Sequence, residues 1–214
     1  MKKNLKLNSS EIDNNTEKRN IINISLKTRA LLIGAFILIA YGSAISLAVE
    51  SLVIALIIES ISGLTVVAAA ILYLPILKPH NKIITYGYTF IKCIEGMLII
   101  IGAFFFLPLI MNGTTSEIWV NDSRDLVYLI IEYLFGFRFL LLAILFYQSK
   151  LIPRFISVWG LIGSVSLIIS ALINLIVGST FVPFYISHLP VITNEIFLAI
   201  WLMIKGFDKE HILT

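Results

Sequence analysis

The sequence predicts an all-α fold, a polytopic membrane helix bundle with six transmembrane helices. Three observations predict it. Of the 214 residues, 58% are hydrophobic and 14% are charged, whereas a soluble domain averages about 25% charged residues. The apolar residues form runs long enough to cross about 30 Å of hydrocarbon, a distance that takes about 20 helical residues. Lys and Arg are concentrated in every second connection between these runs.

The first 28 residues differ in composition from the rest of the chain. They are polar, rich in Asn and of mixed charge, and they show no apolar period. This composition predicts a disordered tail. The apolar run that follows has no clear small-residue cleavage site, so we expect it to be retained as a span. The predicted organisation is a tail at 1–28, a transmembrane domain at 29–207 and a short C-terminal segment at 208–214.

The first long apolar stretch covers residues 31–77 and contains two charges, Glu50 and Glu59. It is too long for one helix and suits two helices joined by a turn near Glu50. Segments with Pro, Asn and charged residues separate the later runs, including a predicted polar loop at 112–125. The six spans are predicted at about 29–49, 54–77, 83–111, 126–147, 155–177 and 187–204.

The distribution of cations predicts the orientation. Of the 16 Lys and Arg residues, 13 lie on the same side as the two termini, and only Arg124 falls in a connection on the other side. Cytoplasmic connections of membrane proteins carry the excess of Lys and Arg. We therefore expect a multi-pass protein of the cell membrane with both termini in the cytoplasm.

Six ionisable residues fall inside the predicted spans. An ionised group at the bilayer centre costs roughly 2.5–3.5 kcal/mol, so we expect these side chains to face the bundle interior. Lys92 and Glu95 are three residues apart and share a helix face. With Arg138 they lie near the midplane and form a candidate buried ion-pair network. The six residues are Glu59, Lys92, Glu95, Glu132, Arg138 and Glu195.

The remaining carboxylates share one layer. Because spans 2, 4 and 6 run inward, an acid early in each of them lies in the outer half of the membrane. The candidate ligand-binding residues of this layer are Glu59, Glu132, Asn174, Asn194 and Glu195. Two interpretations stay open. The layer forms an outward-facing acidic cavity for an ion or a small cationic ligand, or the chain is a non-catalytic helper or interaction protein whose buried charges only fix helix packing.

The common catalytic and metal-binding motifs are absent from the sequence. The sequence has no His-Glu-x-x-His, no Gly-x-Ser-x-Gly, no phosphate-binding glycine loop and no His pair at metal spacing. A single cysteine, Cys93, rules out a disulfide framework. Scattered cations without interleaved aromatics give no support for nucleic-acid binding. We predict no catalytic residue, metal or cofactor, and an enzyme is not favoured. The lipid bilayer is the expected partner.

Four segments carry a resemblance to a known family. The most specific are Leu151-Ile-Pro-Arg-Phe155 at the junction of spans 4 and 5, and the ending Glu-x-x-x-Ala-x-Trp-Leu-x-x-Lys-Gly at 195–206. The others are residues 70–79 and 90–96. Over about 29–207 the chain resembles the domain-of-unknown-function 4386 family of bacterial membrane proteins. The resemblance implies a bacterial inner-membrane location and a six-helix bundle. Members of this family commonly have Arg at the position of Lys92. The family has no assigned activity, so the resemblance implies none.

Overall fold

The computed structural model describes residues 25–112, 117–177, 184–208 and 210. Within these ranges no strand occurs, and six helices are long and apolar enough to span a membrane. The long helices are α1 (Leu26–Ala40), α2 (Leu52–Leu77), α3 (Lys82–Phe104), α4 (Glu117–Ser149), α5 (Arg154–Val177) and α6 (Phe184–Ile204). The first span runs over Leu26–Ile45 and the third over Lys82–Met111, so each includes a short helical segment beyond α1 or α3. Short helical segments at Gly42–Ile45, Ser46–Ala48 and Leu107–Asn112 extend α1 and α3. The all-α, six-span prediction is confirmed, and the chain is a multi-pass membrane protein.

Helix α2 has one exposed apolar face and one buried face. Ile57, Ile61 and Leu64 are 49%, 48% and 60% exposed and follow one another at helical spacing. The opposite face, which includes Glu59 and Ala70, is buried. An apolar stripe of this size is unfavourable in water and is the surface that a lipid bilayer covers. The exposed face of the bundle is therefore its lipid-facing face.

The helices form a closed ring in sequence order. Each helix packs against the next, and α6 returns to pack against α1. Helices α2 and α3 approach most closely at two glycines. A Cβ on Gly63 would lie 2.6 Å from the carbonyl oxygen of Gly96, and a Cβ on Gly96 would lie 2.7 Å from that of Gly63. Only glycine permits this backbone contact.

The half of the ring nearest the termini is filled with apolar and aromatic side chains. The Tyr73 ring lies at its centre, with centroid distances of 5.8 Å to Tyr88, 5.9 Å to Phe146 and 6.3 Å to Phe207. The C-terminal segment closes this end, because the backbone N–H of Asp208 donates to the carbonyl of Leu151 at 2.9 Å. All six helices contribute to this aromatic core.

One loop prediction is wrong. The segment at 112–125, predicted as a polar loop, is helical from Glu117 onward as the first turns of α4. Val120, Arg124 and Val127 follow helical spacing and are buried, so one face of this segment packs into the bundle although its composition is polar. At the start of the chain α1 already begins at Leu26, inside the predicted tail, and residues 1–24 lie outside the described residues. The connection between α1 and α2 contains Glu50, as predicted.

Candidate functional site

A cavity of about 530 Å³ lies inside the ring, in the half away from the termini. Helices α1, α2, α3, α4 and α6 and the Gly42–Ile45 segment line it, and α5 supplies none of its lining residues. Most of the wall is apolar, with side chains such as Phe36, Val66, Ile99 and Leu129. The ionisable lining residues are Lys92, Glu95, Asp125, Glu132, Arg138, His188 and Glu195.

The floor of the cavity rests on the aromatic core. Ala69 lines the cavity, and Tyr73, one helical turn along α2, belongs to the core. On α3 the same relationship holds between Lys92 and Tyr88. Residues four apart stack on one helix face, so the boundary between the cavity and the core falls at one level of the bundle.

Arg138 organises the deep end. Its Nε lies 2.6 Å from Oε2 of Glu95, and its Nη1 lies 3.2 Å from Oε1 of Glu195. The hydroxyl of Tyr41 donates to Oε2 of Glu195 at 2.9 Å. The guanidinium carbon lies 4.6 Å from the ring centroid of Phe135. One cation thus holds two carboxylates from α3 and α6, and all three charged side chains are buried.

Lys92 is the other cation at the deep end, and its surroundings differ. It is 3% exposed. Its ammonium lies 5.9 Å from the ring centroid of Tyr88. Among the residues described, it forms no hydrogen bond and no ion pair. The predicted network of Lys92, Glu95 and Arg138 is therefore a contact between Arg138 and Glu95, with Glu195 as its third member and Lys92 beside it.

Exposure rises from the deep end toward the rim. The Glu132 side chain is 29% exposed, and its Oε1 lies 3.6 Å from Nε2 of His188. Nδ1 of His188 is 2.8 Å from the hydroxyl of Ser187. Asp125, about two turns earlier on α4, is exposed. The rim is thus acidic and solvent-facing, whereas the deep end is buried and carries both signs of charge.

Glu59 lies outside the cavity. Its carboxylate makes two hydrogen bonds with Arg124, Nη2–Oε1 at 2.6 Å and Nη1–Oε2 at 3.0 Å. Ser46 donates a third hydrogen bond to Oε1 at 2.7 Å. Arg124 Nη1 also donates to the carbonyl of Gly102 at 2.7 Å, and the guanidinium carbon lies 3.7 Å from the ring centroid of Phe106. The predicted layer of carboxylates is consequently split between two places.

The two asparagines of the predicted layer also lie away from the cavity. The Asn194 side chain is buried and donates to the carbonyl of Ile156 at 3.0 Å, which ties α6 to α5. Asn174 lies half-buried on α5. Of the five candidate ligand-binding residues, the structure brings Glu132 and Glu195 to the cavity and places Glu59, Asn174 and Asn194 elsewhere.

Several residues of the site were not predicted from the sequence. Arg124 was assigned to a loop, although its spacing from Val120 and Val127 is that of a helix face. Tyr41 carried no signal, because a single tyrosine inside an apolar span does not show which side chain its hydroxyl will meet. In the part of the chain that the structure describes, no group of three or more His, Cys, Asp or Glu side chains is placed to hold a metal.

No curated protein and no solved structure matches this chain. One family model does match, over residues 39–206, which is most of the bundle from the end of α1 to the end of α6. Its description is a domain of unknown function, DUF4386, in agreement with the resemblance seen in the sequence. A match over more than half of the chain makes it a member of the DUF4386 family.

Proposed function

We propose that this chain is a binding protein of a bacterial inner membrane, which takes a small, largely apolar molecule into the cavity of its helix ring. The observation that carries the proposal is the cavity itself, which five helices build around a buried charged floor. Its volume of about 530 Å³ falls within the roughly 300–1,000 Å³ of small-molecule sites. An apolar wall with a few convergent polar groups is also typical of such sites.

The orientation supports an outward-facing cavity. The cations in the connections lie on the side of the termini, and Arg124, the one exception in the sequence, is buried against Glu59 instead of lying in a loop. The positive-inside rule then favours cytoplasmic termini. With that orientation, the aromatic core faces the cytoplasm and the rim of the cavity faces outward.

A role in which the charges only fix packing has less support. It predicts a filled interior and small residues along a lipid-facing seam. The small residues instead pack inside the bundle, where a Cβ on Gly34 would lie 2.5 Å from the carbonyl oxygen of Ala199 and Gly63 meets Gly96. These glycines therefore support packing within the bundle and do not form a lipid-facing seam for a partner.

The expected cationic ligand or ion is confined to the rim under this proposal. Arg138 holds Glu95 and Glu195, and Arg124 holds Glu59. Carboxylates already paired in a buried setting have little affinity left for a second cation. Glu132 and Asp125 are the acids that face the cavity near its open end.

Occlusion of the cavity tests the proposal. Ala40 lines the cavity, and Ala35 on the same helix is similarly half-buried but does not line it. We expect 2-octanone to raise the unfolding temperature of the wild type and of Ala35→Leu in a nonionic detergent, and to lose this effect in Ala40→Leu. Partition into micelles is common to both variants and cancels. Equal shifts in the two variants, or none in the wild type, would contradict the proposal.

A further inference from the structure

We propose that Lys92 is the anchor of this cavity, and that its ligand is an apolar molecule carrying one oxygen acceptor, a carbonyl or a carboxylate, at the end that enters first. This inference rests on the proposed function and adds the chemical class of the ligand. It replaces the expectation of a cationic ligand with one that the structure supports better.

The first step is the unmatched hydrogen-bonding capacity of Lys92. An ammonium group has three N–H donors and no acceptor. Lys92 is 3% exposed and lines the cavity, yet forms no hydrogen bond with the described residues. Burial of such a group is costly unless its donors are satisfied. The cavity is the space from which an acceptor can reach it.

The second step is the position of the nearby carboxylates. Glu95 contacts Arg138 through Oε2, and Glu195 contacts Arg138 through Oε1 and accepts from Tyr41 through Oε2. Both acids are therefore oriented toward Arg138, and neither forms an ion pair with Lys92. With two cations and two carboxylates the deep cluster is electrically balanced. A neutral acceptor such as a carbonyl keeps this balance, whereas a carboxylate pairs with Lys92 but adds one net negative charge to the cluster.

The wall of the cavity beyond Lys92 indicates the chemistry of the rest of the ligand. Above Lys92 the wall consists mainly of apolar and aromatic side chains, among them Ile99, Leu129 and Phe135. They suit a hydrocarbon body. At the rim, Glu132 and Asp125 disfavour a second anionic group by like-charge repulsion. A ligand with one acceptor at its leading end and an apolar remainder therefore matches Lys92 and the apolar wall, and it places no anionic group at the acidic rim.

Three probes of equal chain length test the proposal: 2-octanone, octanoate and octylamine. They are titrated against the full-length protein in nonionic detergent, with binding read from the unfolding temperature. Lys92→Met removes the donors at similar side-chain length, and Lys92→Arg restores donors. Lys82→Met, at the exposed start of α3, is the matched control. We expect 2-octanone and octanoate to bind the wild type and Lys82→Met, to lose about tenfold or more in affinity in Lys92→Met, and to regain part of it in Lys92→Arg.

Each other outcome has a defined meaning. Equal binding of the acceptor probes by wild type and Lys92→Met would refute the anchor and leave the cavity as a binding site. Tightest binding of octylamine would refute the anchor in favour of the acidic rim. Absence of binding by all three probes would overturn both the anchor and the proposed function. Unfolding temperatures of the ligand-free variants show that each is folded.

Discussion

Arg124 and Glu59 form a doubly hydrogen-bonded ion pair between α4 and α2, with N–O distances of 2.6 Å and 3.0 Å and with both side chains buried. These two helices are not neighbours in the ring. The third contact of Arg124, to the carbonyl of Gly102, comes from α3 between them. A single guanidinium therefore fastens three consecutive helices in the half of the bundle that contains the cavity.

We predict that Glu59→Gln destabilises the protein by about 3–5 kcal/mol, because it leaves the Arg124 charge buried without its counter-ion. Arg124→Met should cost a similar amount, and the double variant should cost much less than the sum. Thermal unfolding in detergent measures all three. Glu117→Gln, at an exposed position of α4, is the control and should change stability little. Additive single effects would refute the coupling.

Arg138→Met should be more harmful than either Glu95→Gln or Glu195→Gln. Loss of the arginine leaves two buried carboxylates without their cation, whereas loss of one carboxylate leaves Arg138 with the other. We expect a destabilisation of about 3–5 kcal/mol or more for the arginine variant. Unfolding temperatures and expression yield in the membrane give the ranking. A milder effect for Arg138→Met than for Glu195→Gln would contradict it.

Alanine at the glycine contact of α2 and α3 should separate these helices. The added Cβ at Gly63 or Gly96 would lie within 2.7 Å of a backbone carbonyl oxygen, so the helices must shift, at a cost of about 1–3 kcal/mol. Gly87→Ala is the matched control on α3, because its nearest contact would be 3.7 Å away and alanine favours the helix. Equal unfolding temperatures for Gly63→Ala, Gly96→Ala and Gly87→Ala would exclude the close contact.

Cysteine labelling tests the proposed orientation. In a Cys93→Ala background, Glu50→Cys lies in the α1–α2 connection and Lys82→Cys lies at the start of α3, and both positions are exposed. In intact bacterial spheroplasts we expect a membrane-impermeant maleimide to label Glu50→Cys. Lys82→Cys should be labelled only after the membrane is opened. The reverse pattern would place the termini outside and turn the cavity toward the cytoplasm.

The sequence was sufficient for the features that depend on local composition. Each span is a long apolar run in the sequence, and each connection between spans contains polar or charged residues. The six helices were therefore predictable from hydropathy and charge. Burial of the ionisable residues was predictable too, because the free energy of exposing a charged side chain to lipid is unfavourable whichever residue it pairs with. Glu95 and Arg138 were correctly expected near one level, since depth follows from position along a span.

The pairing of those charges was not predictable. Depth along a span places Glu59, Glu132 and Glu195 in one layer, but it does not say which lateral neighbour each one meets. Arg124 reaches Glu59 from within α4, which begins at Glu117, nine residues before the predicted span start at 126. Hydropathy did not show this extension, because residues 117–125 are mostly polar. Lys92 illustrates the converse. Its spacing from Glu95 suggested a pair, yet Arg138 from another helix occupies that carboxylate.

The aromatic core beneath the cavity bears on whether a molecule can pass through the bundle from one side of the membrane to the other. Tyr73, Tyr88, Phe146 and Phe207 close the bundle at the level just below Lys92. Under the proposed function, a molecule bound in the cavity therefore stops at this layer of aromatic side chains and leaves by the path along which it entered. Under the proposed function, the part of the ring that the structure describes is open at one end only, so a signal from a bound molecule to the other side would have to be carried by movement of the helices.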